Sequence, residues 1–262
     1  MVTDKKFVLL NESLKAVDSG NINILTLVGS PGTGKTFTTL KHLKEKNVNY
    51  AYINSYATPL SFYKILYENR SKKVIVFDDL HGVSNPLVLA MLKSACWVSD
   101  EKRVVSYYST SSKLDLLELP PSFEVTSSVV LIFNKLIQDY EPIINRGIAI
   151  NFDFNFEEKL KLFEEIKEDA EINQDVLDYI KTTCNDANEN LSIRTLVILS
   201  KLKKSGQDFK LFAKEILPIN ENKKLLIEMT CKEWVSSTGF SRRSYFRHKH
   251  KLKLKEKSAI VS

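Results

Sequence analysis

The segment best equipped for chemistry is an octet near the N-terminus, Gly29-Ser30-Pro31-Gly32-Thr33-Gly34-Lys35-Thr36. Holding a multiply charged phosphate group requires backbone N–H groups turned inward around it. Glycines let a loop curl that tightly, and a helix starting at the loop's end adds its positive N-terminus. In this octet Lys35 is spaced to reach the β- and γ-phosphates of ATP, and Thr36 to hold Mg²⁺. The plain alternative is a chance glycine-rich turn. Against it, the octet falls between an apolar strand, Ile24–Val28, and a helical stretch over 34–46.

Turnover of such a ligand needs an acid to orient metal and water. The apolar run Val74-Ile75-Val76-Phe77 delivers one at its C-terminal end, Asp78-Asp79, where ligands bind in open α/β sheets. Asp78 is expected to hold Mg²⁺ through water and Asp79 to polarise the attacking water. A solvated acidic turn is the competing reading. Asn134, at the end of the next apolar strand, is a candidate for positioning that water.

Strand and helix signals alternate through the first two-thirds of the chain, the pattern of a parallel sheet sandwiched by helices. Strands are expected over 24–28, 48–54, 73–78, 129–134 and 148–154, with helices over 34–46, 60–70 and 86–98. Residues 99–127 interrupt the rhythm and read as a β-hairpin or long excursion inserted before the fourth core strand. Beyond Phe154 the spacing turns helical over 157–168, 175–183, 192–203 and 209–216, and Pro218-Ile219-Asn220-Glu221-Asn222 then breaks the pattern. These signals divide the chain into an α/β nucleotide-binding domain (1–154), a helical lid (155–217) and a small basic unit (218–262).

The charge is uneven. Residues 241–257 carry eight basic side chains against Glu256, a balance of +7; subtracting it from the chain's +6 leaves −1 for the rest. A local excess of that size points to a polyanionic partner, with DNA favoured over RNA or a merely solvated tail. Residues 230–251 are similar to a helix-turn-helix: Trp234 and Val235 on a first helix, Gly239 in the turn, Ser241 capping a second. On that second helix Tyr245 would face inward, while Arg242, Arg243, Ser244 and Arg247 face a groove. Past His248 the lysines alternate, Lys249, Lys251, Lys253, Lys255, Lys257, which puts them on one face only if the chain is extended. The helix is therefore expected to stop near Lys249. DNA contacts are assigned to Arg242, Arg243, Ser244, Arg247, Lys249 and Lys251.

Composition excludes several classes. No apolar run approaches the ~18 residues of a membrane span, and residues 1–10 lack a secretory pattern. Cys96, Cys184 and Cys231 are odd in number and far apart, so they read as reduced thiols of a cytoplasmic protein.

Taken in order, these motifs resemble those of the AAA+ P-loop ATPases, nearest to replication initiators, helicase loaders and transposition helper ATPases; the likeness covers roughly residues 3–217. The resemblance implies a first nucleotide motif at Lys35 and Thr36, a second at Asp78 and Asp79, and a polar sensor at Asn134. It also implies an arginine finger at Arg146, within Asn145-Arg146-Gly147, and a second sensor at Arg194, within Ser192-Ile193-Arg194-Thr195-Leu196. Most of the family has Asp-Glu where this chain has Asp78-Asp79, which puts fast hydrolysis in doubt. The function so implied is an ATPase that assembles as a ring or filament on DNA, in replication, recombination or mobile-element maintenance, with a helicase or similar protein as a further partner. Two alternatives stay open. One is a hexameric viral or plasmid-type helicase or translocase: the insertion resembles the hairpin that such helicases push into their DNA-lined pore, which would make Lys102 and Arg103 nucleic-acid contacts. The other is a protein-remodelling ATPase whose basic tail docks a partner.

Overall fold

The computed structural model describes residues 2–54, 57–71, 73–79, 85–97, 102–108, 113–135 and 141–257. In chain order the elements are α1 (Val2–Asp18), β1 (Ile24–Val28), α2 (Lys35–Glu45), β2 (Tyr50–Ile53), α3 (Pro59–Glu68), β3 (Val74–Asp78), α4 (Pro86–Cys96) and β4 (Val104–Ser106). They continue as α5 (Lys113–Leu116), β5 (Ser122–Glu124), β6 (Ser128–Phe133), α6 (Glu141–Ile144) and β7 (Ile148–Asn151). A helical run follows: α7 (Phe156–Glu165), α8 (Gln174–Thr183), α9 (Ile193–Lys204), α10 (Phe209–Ile216), α11 (Glu221–Glu228), α12 (Cys231–Thr238) and α13 (Arg242–Lys257). Residue contacts gather into two units, one of Asp4–Ser30 with Lys35–Phe152, the other of Met1–Thr3, Pro31–Gly34 and Asp153–Ser262.

The first unit is built on a five-stranded sheet in the order β2-β3-β6-β1-β7, every pairing parallel. β3 and β6 are buried along their whole length and β1 nearly so. Central parallel strands are covered on both faces, which is why these three read as mostly apolar runs without alternation, with Thr26 the one polar residue inside a run. β2, at one edge, is only half-buried. Helix starts follow from side-chain caps: Thr58 accepts from Ser61 N ahead of α3, and Asn85 from Leu87 N ahead of α4, each with proline in the first turn.

The insertion is a hairpin, β4 against β5, but it is not a free excursion. Val105 and Phe123 are buried in the main core beside Tyr63, whose hydroxyl donates to Pro120 O at 2.7 Å. Arg103 corrects the expectation of a nucleic-acid contact. It is 7% exposed, and its guanidinium donates to Ala95 O (3.0 Å) and Ser127 O (2.8 Å), satisfying two carbonyls beneath the hairpin. Lys102 is exposed and paired with Glu124. Residues 99–101 and 109–112, which the hairpin reading included, lie outside the described residues.

In the second unit α7, α8 and α9 start at Asn155, Asn173 and Ser192 caps, with a reciprocal capping box at Asn155 and Glu158. The expected break at 218–222 is shorter than the sequence suggests. Asn220 accepts from Lys223 N and opens α11, so the asparagine there is a start signal as well as a stop. α12 begins with a second capping box, Thr230 and Glu233, and ends at Gly239, which is left-handed at φ 72°. Leu226, Trp234 and Tyr245 form a small core of their own.

Two further expectations are corrected. β7 ends at Asn151 rather than reaching 154, because its partner β1 ends at Val28; the Phe152 N–H makes the last ladder bond, to Val28 O. α13 runs to Lys257 instead of stopping near Lys249. Nothing from 242 to 257 is proline or glycine, and lysine, leucine and glutamate all favour helix, so intrinsic preference outweighs the alternating pattern.

Candidate functional site

β1 delivers the chain to Gly29, whose N–H donates to Phe133 O at 3.1 Å, and α2 carries it away from Lys35. Between them Gly32 and Gly34 have φ of 72° and 92°, conformations that a side chain resists. The first turn of α2 contains no acidic residue, so its positive end is not neutralised from within. Lys35, 4% exposed, turns its ammonium onto the loop: Nζ donates to Gly29 O (2.7 Å) and Ser30 O (2.9 Å). Thr33 is buried, whereas Ser30 and Pro31 are exposed.

The acids stand where the parallel sheet ends. Asp78, last residue of β3 and 7% exposed, accepts from Thr36 Oγ1 on Oδ2 at 2.8 Å. Asp79 leaves the strand with φ 48° while its N–H donates to Ile132 O (3.2 Å), so the carboxylate swings toward the end of β6. There Asn134 Nδ2 donates to both of its oxygens, at 2.7 and 2.9 Å. The other end of that amide, Oδ1, accepts from Lys35 Nζ at 3.4 Å. Lys35, Asn134 and Asp79 thus form one line of alternating donor and acceptor, and that line fixes which way the amide points. Tyr52, which no sequence motif singles out, also donates to Asp78 Oδ2, at 2.8 Å.

A threonine hydroxyl and a carboxylate held together at a helix start are hard oxygen donors of the kind Mg²⁺ takes. A curled glycine loop with a lysine beside it suits a polyphosphate. The residues present therefore fit both groups. Among the described residues no cluster of three His, Cys, Asp or Glu side chains is gathered, so the hydroxyl–carboxylate pair is the metal-binding arrangement this chemistry favours.

Arg146 lies at the turn before β7. Gly147, next to it, passes so close to β1 that a Cβ there would stand 2.2 Å from Ile24 O. The Arg146 guanidinium is folded back over the Trp97 ring, 5.5 Å from the centroid, and donates to Pro142 O, while its buried Nε has no partner. Trp97 itself is 56% exposed.

Within the second unit, Pro31–Gly34 sits with the start of α9. Ile193 N donates to Gly32 O at 3.0 Å, and a Cβ on Gly32 would come within 2.6 Å of Ser192 Cβ. Arg194, one residue on, is exposed.

On α13, Arg242, Arg243, Phe246 and Arg247 are exposed and Ser244 is half-buried. Tyr245 is buried against Trp234, its hydroxyl donating to Met229 O. Lys249 does not stand free beside them; its ammonium donates to Tyr245 Oη at 2.7 Å and lies over the same ring. The side chain of Lys251 lies outside the described residues.

No protein-family model matches the chain. An uncharacterised 36.7 kDa protein from the nrdC–mobD intergenic region of Enterobacteria phage T4 is 25% identical over 173 residues, 60% of this chain and 53% of that protein. The chain thus spans about half the length of the curated relative it matches. Two RuvB variants from Thermotoga maritima superpose with TM-scores of 0.50 at 19% and 18% identity, over 92% and 91% of this chain and 82% of theirs. At that identity the likeness concerns the fold.

Proposed function

We propose that this chain, which has the fold of the AAA+ P-loop ATPases, binds and hydrolyses ATP with Mg²⁺ and assembles as an oligomer on DNA. The observation that carries the reading is the line Lys35–Asn134–Asp79 set beside the Thr36–Asp78 pair, all at one end of the sheet. On binding, Lys35 exchanges the Gly29 and Ser30 carbonyls for phosphate oxygens, a move of a few ångströms by a flexible side chain. Thr36 and Asp78 would hold Mg²⁺, whose charge offsets that of the phosphates. Release of Asn134 from Lys35 leaves Asp79 and Asn134 together to orient the attacking water. Arg194, exposed at the start of α9, serves as the second sensor.

Arg146 supplies its charge to a neighbouring subunit's ATP. That use requires it to leave the Trp97 ring, so hydrolysis depends on assembly. The DNA contacts fall to Arg242, Arg243, Ser244 and Arg247, helped by the tail lysines; replication, recombination or mobile-element maintenance is the setting such a protein serves. The helicase reading rested on the hairpin, and burial of Arg103 removes one of the two contacts it offered.

The test is the ATPase rate of the full chain titrated with single- and double-stranded DNA, with Lys35→Ala as control. Double-stranded DNA should stimulate the unmodified chain, and Lys35→Ala should lose nucleotide binding while its circular-dichroism spectrum shows that it still folds. Stimulation by a protein and by no DNA would favour a remodelling ATPase instead.

A further inference from the structure

β2 contributes more to this site than an edge. Tyr52 pairs with Val76 in the β2–β3 register, two residues before Asp78. Its hydroxyl reaches the end of β3 and donates to Asp78 Oδ2 at 2.8 Å, the same oxygen that accepts from Thr36 at 2.8 Å. Behind it, Asn54 Nδ2 donates to Tyr52 Oη at 3.2 Å. Asn54, Tyr52, Asp78 and Thr36 therefore form one directed chain that ends on a nearly buried carboxylate.

A carboxylate oxygen has two lone-pair sites, and on Oδ2 both are taken. The carboxylate is thereby pinned at two points and cannot rotate without breaking a charge-assisted bond. Oδ1 is left as the oxygen for a metal-bound water. A tyrosine hydroxyl can donate to the carboxylate while it accepts from the Asn54 amide, as this chain of bonds requires.

We propose that Tyr52 is a positioning residue for the metal: its hydroxyl aims Asp78 so that Oδ1 faces the magnesium hydration shell, with Asn54 steadying the hydroxyl from behind. This role rests on the ATP reading above. Partners one step removed from a metal ligand typically change metal affinity by about 10-fold to 100-fold when lost. At 41% exposed, the Tyr52 ring can lose its hydroxyl without opening a core.

The experiment uses the full chain, its Tyr52→Phe variant and a fluorescent ATP analogue, titrated with Mg²⁺ and separately in excess chelator. Tyr52→Phe should need roughly 10-fold more Mg²⁺ to reach the metal-dependent gain in analogue affinity, at the lower end of that range. Its affinity in chelator and its melting temperature should match the unmodified chain. Asn54→Ala should show a smaller shift of the same sign. Mn²⁺ titrated in place of Mg²⁺ and followed by its spin-resonance signal reads the metal directly and should show the same order. An unchanged Mg²⁺ requirement in Tyr52→Phe, while both proteins bind the analogue, overturns the role of Tyr52 alone. Equal loss with and without metal also overturns it, as damage to the pocket. Failure of the unmodified chain to bind the analogue at all overturns the ATP reading, and this role with it.

Discussion

Asn134 is the joint of the site, since one planar amide faces a cation with its oxygen and a carboxylate with its nitrogen. That arrangement separates binding from turnover. Asp79→Asn keeps every phosphate contact of the loop but replaces the charged acceptor that orients water. ATP affinity is expected to stay within about 3-fold while hydrolysis falls by about 10²-fold or more, the usual scale for a positioned acid or base. A filter-binding assay beside a phosphate-release assay checks both halves, and near-normal release would place the water on another group. Five of these side chains were legible in the sequence: Asp78, Asp79 and Asn134 close apolar runs, where a parallel sheet exposes its C-terminal ends, and Lys35 and Thr36 end the glycine-rich loop that follows another. Tyr52 was not. A tyrosine inside the strand Tyr50-Ala51-Tyr52-Ile53 has the composition of any half-buried edge, and only the register shows where its hydroxyl lands.

Among the elements, the central strands β1, β3 and β6 were read to within a residue because runs of five or six mostly apolar residues leave little choice. α1 was passed over, although Phe7, Leu10, Leu14 and Val17 recur at helical spacing. Its place follows from packing, with Phe7 edge-on to Phe152 at 5.1 Å. α13 failed for the opposite reason, because alternating lysines suggest an extended chain while local preference favours helix. The loop–α9 contact was also invisible, since a glycine in this motif already has a phosphate rationale. Gly32 has a second one: the start of α9 leaves no room for a Cβ. Gly32→Ala should therefore cost about 1–3 kcal/mol in denaturant melts, from the positive φ together with the clash. Ser192→Gly added to it should restore the clash portion alone, since glycine is nearly as good a cap as serine. A double variant no better than the single one would leave backbone strain as the whole cause.

For the molecule as a whole, the charge division decides how DNA binding should be tested. Deleting everything from Ser241 would take the formal charge from +6 to −1, but it would also strip Tyr245 from Trp234 and open the small C-terminal core. Neutralising exposed arginines avoids that. Arg242, Arg243 and Arg247 changed together to alanine should lower the slope of log affinity against log salt by about 2.7 on duplex DNA, if all three meet phosphates. Basal ATPase should not change. A smaller drop in slope with a lost sequence preference would mean that one or more of the three reads bases instead.

The strand order also governs how the protein comes into being. β1 lies between β6 and β7, and Ile24 pairs with Val129 and Leu25 with Ile148. A ribosome working at about 5–20 residues per second makes β1 some 5–20 seconds before β6 exists, and longer before β7. Throughout that interval the apolar strand Ile24-Leu25-Thr26-Leu27-Val28 has neither of its sheet neighbours, while β2 and β3 can already pair. Nascent chains arrested near residue 127 should leave the β1 amides open to hydrogen exchange. Chains with 1–152 clear of the exit tunnel should protect them, so the half-made protein is the form most in need of a chaperone.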